Sequence, residues 1–230
     1  MLGTAFRLPH QPVSVLPDVV PAEVSWSSPH PSVSHLGKRL LDTIGALVGL
    51  TVLAVAIVPI AIAIQLDNPG PIFYSQIRYG YQGKAFRLWK FRSMVANADQ
   101  IKHLVKNEAQ GLIFKSQDDP RVTRVGKFLR RSSLDELPQF WNIFRGDMSL
   151  VGTRPPVRDE VIKYRPHHWK RLEVRPGLTG EWQANGRSSI SDFEDIVKMD
   201  ILYQQRWSMA YDLRLLFKTL WVVIASRGAY

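Results

Sequence analysis

From Thr43 to Leu66 the chain reads TIGALVGLTVLAVAIVPIAIAIQL, 24 residues without a formal charge. As a helix this is long enough to cross the hydrocarbon core of a bilayer, about 30 Å. The flanks complicate a simple crossing. Lys38 and Arg39 precede the run, and Arg78, Lys84, Arg87, Lys90 and Arg92 follow it. Basic residues collect on the cytoplasmic side of a membrane, so both ends claim the same face. Pro59, inside the run, removes one backbone hydrogen bond and presses on the carbonyl four residues back, which kinks a helix. A helix that enters, bends and returns reconciles length, proline and charge. A spanning anchor that tolerates its proline is the plainer reading, and a fully buried soluble helix rarely runs this long without charge.

The remaining sequence holds one domain with a real core. The first 35 residues carry six prolines, one arginine and no apolar run of the kind a secretory signal needs, so residues 1–36 are expected to be a disordered Pro-rich tail. A net charge of +10 and an isoelectric point near 10 favour anionic partners, among which charge alone does not choose. With no cysteine, disulfides and thiolate metal sites are excluded.

DNPGP at 67–71 is a turn, KAFRLWKFRSM reads as a strand with Lys90 and Arg92 on one face, and 97–108 reads as helix. Short helices are expected over 125–145, 157–172 and 192–205. Near the end, Leu213, Leu216, Phe217, Leu220 and Ile224 fall at helical spacing beside Arg214, Lys218 and Arg227, the pattern of a helix lying at a membrane surface or of a core helix with a basic edge.

The chemistry centres on RRSSLDELPQ at 130–139. Asp135 and Glu136 are adjacent carboxylates in a stretch, Arg121 to Arg154, with seven basic residues against three acidic ones. Ser133 followed three residues later by Glu136 has the form of a capping box, although Pro138 would then withhold a helical hydrogen bond. The functional alternative is that a carboxylate, ionised at neutral pH, attacks phosphorus without a helper base while arginines offset the charge. Arg130, Arg145 and Arg154 are candidate phosphate clamps. Arg175, Trp182 and the glycines around them form a turn-rich loop with room for a base or sugar, Asp147 and Asp200 are candidate metal or hydroxyl partners, and His167 and His168 lack a third ligand at zinc spacing.

These motifs, together with KRLLD at 38–42 and PGPIFYSQIRYG at 69–80, resemble the bacterial sugar transferases, that is, the monotopic phosphoglycosyl transferases. The resemblance runs over roughly 38–227. It implies an α+β, mostly helical architecture: a re-entrant, Pro59-broken membrane helix at 37–67 and a single cytoplasmic catalytic domain at 68–230, with interfacial amphipathic helices, on the bacterial inner membrane. Asp135 falls on the family's nucleophile and Glu136 on its partner. Mg²⁺ is the implied cofactor, held at Asp135, and Lys90, Arg92, Arg130, Arg154, Arg175 and Asp200 are the expected phosphate and substrate residues. The implied reaction moves a hexose-1-phosphate from a UDP-sugar to undecaprenyl phosphate with release of UMP, the priming step of exopolysaccharide or capsule synthesis. Val58 stands where a serine commonly precedes the proline. Thr153 and the pair Glu181-Trp182 depart from the commonest pattern in a way that resembles glucose or galactose phosphate transferases. The expected partners are UDP-sugar, undecaprenyl phosphate and membrane phospholipid, with a homodimer allowed and no nucleic acid. The rival reading is a non-enzymatic basic membrane module that binds anionic lipid or nucleic acid; it leaves the ordered Gly, Pro, Asp and Glu motifs unexplained.

Overall fold

The computed structural model describes residues 19–116, 118–185 and 190–224. Elements run in chain order as α1 (Pro31–Ser34), α2 (Leu36–Asp67), β1 (Phe73–Tyr79), β2 (Ala85–Phe91), α3 (Arg124–Arg131), α4 (Gln139–Arg145), β3 (Ser149–Val151), α5 (Arg158–Val161), β4 (Gly177–Thr179), α6 (Glu181–Asn185), α7 (Phe193–Arg206) and α8 (Met209–Ile224). The chain is therefore α+β and mostly helical. β1 and β2 form an antiparallel hairpin, and β3 and β4 a short parallel pair.

α2 is a single helix of 32 residues, roughly 48 Å long, and it is apolar enough to cross a membrane. It is not broken at Pro59, which lies inside it. A proline removes its own amide and presses on the carbonyl four residues back; that residue, Val55, is exposed on the outer side, where its carbonyl can tilt away. One face of α2 lies along the domain throughout its length. Ala46 packs with Ile143, Met148 and Leu150. Further on, Leu53, Ala56, Ile57, Ile60 and Ile64 pack with Phe91, Leu129 and Leu137. Between them, a Cβ on Gly49 would lie 2.2 Å from the Phe140 ring, so only glycine allows this approach. The opposite face leaves Leu40, Ile44, Leu47, Val55, Val58, Ile62 and Leu66 exposed.

Both ends of α2 are tied to the same domain by polar contacts. Near its start, Lys38 Nζ lies 2.6 Å from Asp212 Oδ2 and donates to the Val151 carbonyl at 2.9 Å. Asp42 Oδ1 accepts from Ser149 Oγ and from the Leu150 amide, both at 2.9 Å. At the far end Asp67 Oδ2 accepts from the Val125 amide at 2.8 Å and so caps the start of α3.

Two expectations change. Residues 19–35 are packed where a disordered tail was expected: Val19, Val20, Val24 and Trp26 sit on Tyr79, Trp169 and Leu172. Four apolar side chains suffice to dock an extended Pro-rich strap that needs few backbone partners. Residues 1–18 lie outside the described residues, as does Arg227. The second change concerns 97–108, where only Lys102–Leu104 forms a helical turn, of 3-10 type; the segment instead folds back through Glu108, whose amide donates to the Lys115 carbonyl.

On α8, Leu215 and Leu216 face the core, while Leu213, Phe217, Leu220 and Trp221 are exposed. α2 and α8 thus both present outward apolar stripes.

Candidate active site

Asp135 and Glu136 sit in a helix–turn–helix corner. α3 ends at Ser132, whose Oγ donates to the Phe128 carbonyl at 2.8 Å. Ser133 then takes a left-handed conformation (φ 56°, ψ 15°), which costs a non-glycine residue about 1 kcal/mol. A 3-10 turn follows over Leu134–Glu136, and Pro138 opens α4. The capping-box reading is thereby corrected: Ser133 makes no side-chain cap, because Pro138 delays the helix to Gln139. Leu134 and Leu137 face the core beside Ile60 and Ile64, and the two carboxylates lie between them in sequence.

Lys90, on β2, meets these carboxylates. Its Nζ is 2.8 Å from Glu136 Oε1 and 3.7 Å from Asp135 Oδ2. Asp135 is buried, at 5% exposure. Asn142 on α4 fixes the alignment of corner and strand: its Oδ1 accepts from the Trp89 amide at 3.2 Å and its Nδ2 donates to the Arg87 carbonyl at 2.7 Å.

A cavity of about 850 Å³ adjoins the corner. Lys90, Glu136, Arg78 and Arg154 give it a charged part, while Val48 and Val52 of α2 and Leu216, Leu220 and Val223 of α8 give it an apolar part. Arg154 is held by Glu160 at 2.9 and 3.1 Å and lies 5.9 Å from the Trp182 ring centroid. Its guanidinium is the main opposite charge that keeps the buried Glu160 carboxyl below its ordinary range against the cost of burial. Arg78 donates to the Pro155 carbonyl at 2.9 Å. Burial, with the nearby charge of Arg154, pulls its guanidinium down to about 10. Arg78 was not singled out from sequence as a site residue. In sequence only the alternation of Tyr74, Gln76 and Arg78 is visible; the fold adds the hairpin register, which pairs them with Lys90, Leu88 and Phe86 on one face.

The other expected residues divide. Arg130, on α3, donates from Nε to Ser93 Oγ at 2.9 Å. Arg92 follows β2 and does not share a site with Lys90; it is buried and donates to the carbonyls of Asn68 and Pro69. Strand alternation fails there because β2 ends at Phe91. Arg175 donates to the Val33 carbonyl at 3.3 Å and so holds the strap. Asp200, 1% exposed, pairs with Arg171 at 2.7 Å inside the core, where burial raises its carboxyl. The structure therefore brings Lys90, Asp135, Glu136 and Arg154 to one region, whereas Arg92 and Arg175 are bonded to backbone carbonyls and Asp200 to Arg171. Asp147 and Arg145 pair with each other at 3.5 Å. His167 and His168 do gain a third neighbour, Glu194, at 3.1 and 2.9 Å. His168 Nδ1 accepts from the Arg165 amide at 2.9 Å, so the neutral ring carries its proton on Nε2 and donates it to Glu194, which makes this a clamp and not a metal site.

A family model described as bacterial sugar transferase matches residues 33–226. The chain is 47% identical over 209 residues to the galactosyl transferase CpsE of Streptococcus agalactiae serotype III (strain NEM316), covering 90% of this chain and 46% of that protein. It is 41% identical over 204 residues to the exopolysaccharide production protein ExoY of Sinorhizobium fredii, covering 86% of this chain and 90% of that one. To the UDP-glucose:undecaprenyl-phosphate glucose-1-phosphate transferase of Escherichia coli (strain K12) it is 37% identical over 219 residues, 92% of this chain and 45% of that protein. The chain thus spans about half the length of CpsE and of the E. coli transferase, and most of ExoY. With a matched segment that takes in α2, the hairpin, the carboxylate corner and all of α8, the chain belongs to the bacterial sugar transferase family.

Proposed function

We propose that this chain transfers a hexose-1-phosphate from a UDP-sugar, glucose or galactose, to undecaprenyl phosphate, releasing UMP, as the priming step of exopolysaccharide or capsule synthesis. The observation that carries the reading is the paired carboxylate corner under Lys90, whose Glu136 lines a cavity with arginines at one part and the apolar faces of α2 and α8 at another, with Asp135 buried directly beside it. A sugar diphosphate suits the first part and a prenyl chain the second. The names of relatives that act on UDP-glucose and undecaprenyl phosphate support the same substrates.

In the first half, a carboxylate oxygen of Asp135 attacks the sugar-bearing phosphorus. The bond from that phosphorus to the bridging oxygen breaks, UMP leaves with the electron pair, and an acyl phosphate remains on Asp135. In the second half, an oxygen of undecaprenyl phosphate attacks the same phosphorus and frees the Asp135 carboxylate. Lys90, Arg78 and Arg154 offset the charge on the phosphates, and Glu136 positions the incoming prenyl phosphate or takes its proton. Adjacent Asp135 and Glu136 supply the one or two carboxylates that Mg²⁺ takes from a protein when phosphate oxygens and water complete its shell, so the donor set fits that ion, which when bound would offset phosphate charge.

The same reading puts the catalytic domain on the cytoplasmic face, with α2 seated in the membrane from one side and α8 at the interface. Contacts from both ends of α2 to one domain support it, as do basic flanks at both ends. The test is UMP release by detergent-purified protein with Mg²⁺, undecaprenyl phosphate and several UDP-sugars, beside Asp135→Asn. Release abolished by the substitution is the expected result; a labelled sugar-phosphate adduct that persists in Asp135→Asn would remove Asp135 from the mechanism.

A further inference from the structure

Three buried polar atoms without a hydrogen-bond partner among the described residues belong to side chains that line the one cavity beside Glu136. Among the described residues that line it they are Nε of Arg78, Nε1 of Trp182 and Oε1 of Gln183. An unpaired buried donor or acceptor is costly, so such atoms need an explanation, and a ligand is one. For Trp182 the unpaired atom is the only polar group of the side chain. The orphan oxygens of Asp42 and Asp200 differ, because each of those carboxylates is already bonded through its other oxygen.

The wall that carries Trp182 and Gln183 is braced from behind. Both sit on α6, where Glu181 accepts from the Tyr211 hydroxyl of α8 and from Asn185 Nδ2 at 2.8 Å. Arg154 lies over the Trp182 ring. The wall therefore carries one unpaired donor and one unpaired acceptor on adjoining residues, beside a guanidinium suited to phosphate. That set fits a neutral hydroxylated ligand bonded to a phosphate, since a hydroxyl both donates and accepts. A side-chain amide also serves either way round by rotation.

We infer that Trp182 and Gln183 form the sugar-reading wall of the donor site: Trp182 Nε1 donates to one hexose oxygen and Gln183 binds a neighbouring hydroxyl, which makes these residues determinants of sugar specificity. The inference rests on the transferase reading above. It selects the hexose over the nucleobase because the hexose is one ester bond from the attacked phosphorus, whereas the base lies beyond a second phosphate and a ribose. A wall touching Arg154 stands next to the former.

The experiment compares wild type, Trp182→Phe and Gln183→Leu for kcat/KM with UDP-glucose and UDP-galactose, and for inhibition by UMP. Trp182→Phe keeps a ring and deletes the N–H, and Gln183→Leu keeps bulk and deletes the amide. The expected result is a fall of about 10–100-fold for the preferred donor, a smaller fall for its epimer, and an unchanged UMP inhibition constant. Equal falls for both epimers, or a UMP constant that rises in step, would overturn the assignment, the second by making this a nucleotide wall. Wild type that releases no UMP from any donor would instead defeat the transferase reading itself. Should Trp182→Phe melt early, Gln183→Leu decides.

Discussion

The ammonium group of Lys90 stands 2.8 Å from Oε1 of Glu136, and the same nitrogen is 3.7 Å from Oδ2 of Asp135. One cation therefore serves both carboxylates and holds two like charges in adjacent positions. Lys90→Met is expected to slow adduct formation about 100–1000-fold, the usual loss when one preorganised donor is removed from developing charge. Lys90→Arg should recover part of it. Rapid quenching with labelled UDP-sugar measures this step directly; wild-type adduct formation in Lys90→Met would reduce the lysine to a structural counter-ion.

Asp200 makes the opposite case. It is 1% exposed and bonded to Arg171 at 2.7 Å, and Arg171 also donates to the Tyr164 hydroxyl at 2.7 Å. Removing one partner leaves a buried charge, so Asp200→Ala should destabilise the fold by about 3–5 kcal/mol. The protein that does fold should keep its KM for donor. Thermal melting gives the first quantity and steady-state kinetics the second; a raised KM with unchanged melting would return Asp200 to the site.

The contrast between these residues shows what the sequence made legible. That Lys90, Asp135, Glu136 and Arg154 lie in one region is legible because motif and charge pattern coincide there, and β2 is legible from its alternation. Arg92 and Asp200 looked equivalent to them, since a charge bound to backbone carbonyls, as Arg92 is, or locked in a buried ion pair, as Asp200 is, carries the same letter as one beside a cavity. Arg78 was passed over because cross-strand register, which sets its face, is not written in either strand alone. The docking of the strap at 19–35 is not legible in composition, because its few apolar residues are diluted by proline and averaged away. Pro59 suggested a break, yet α2 continues through it, because packing against the domain on one face holds the helix through the missing bond.

Gly49 and Phe140 test how α2 is seated. A Cβ at Gly49 would lie 2.2 to 2.4 Å from three atoms of the ring. Gly49→Ala should cost about 1–3 kcal/mol by overpacking, and Phe140→Ala should relieve it. In a double-mutant cycle by melting in detergent, the alanine at 49 should cost clearly less when Phe140 is absent. Independent, additive losses would mean that α2 does not rest on this ring.

The absence of cysteine makes the membrane arrangement directly measurable. Leu36 begins α2 and Asn68 follows its end, and both ends are bonded to one domain. Single cysteines at 36 and 68 in inside-out and right-side-out vesicles should react with an impermeant maleimide from the cytoplasmic side only. Labelling of the two positions from opposite sides would establish a crossing helix and exclude the seated arrangement.

His168 supplies a pH dependence with a defined sign. Burial of the ring opposes its charged form and lowers its pKa, only partly offset by the hydrogen bond to Glu194. The Glu194 carboxyl is in turn held below its ordinary value by hydrogen bonds from His168 and His167. In the unfolded chain the ring takes up a proton near pH 6.5, and in the folded protein only at lower pH, so the unfolded state binds more protons in that interval. The contribution is complete above about pH 6.5 and is lost as pH falls through the lowered pKa. Melting temperature should therefore decline between about pH 7 and pH 5, and His168→Gln, which has no titrating ring, should decline less over the same interval whatever its starting stability. Parallel curves for the two proteins would show that the acid-sensitive group lies elsewhere.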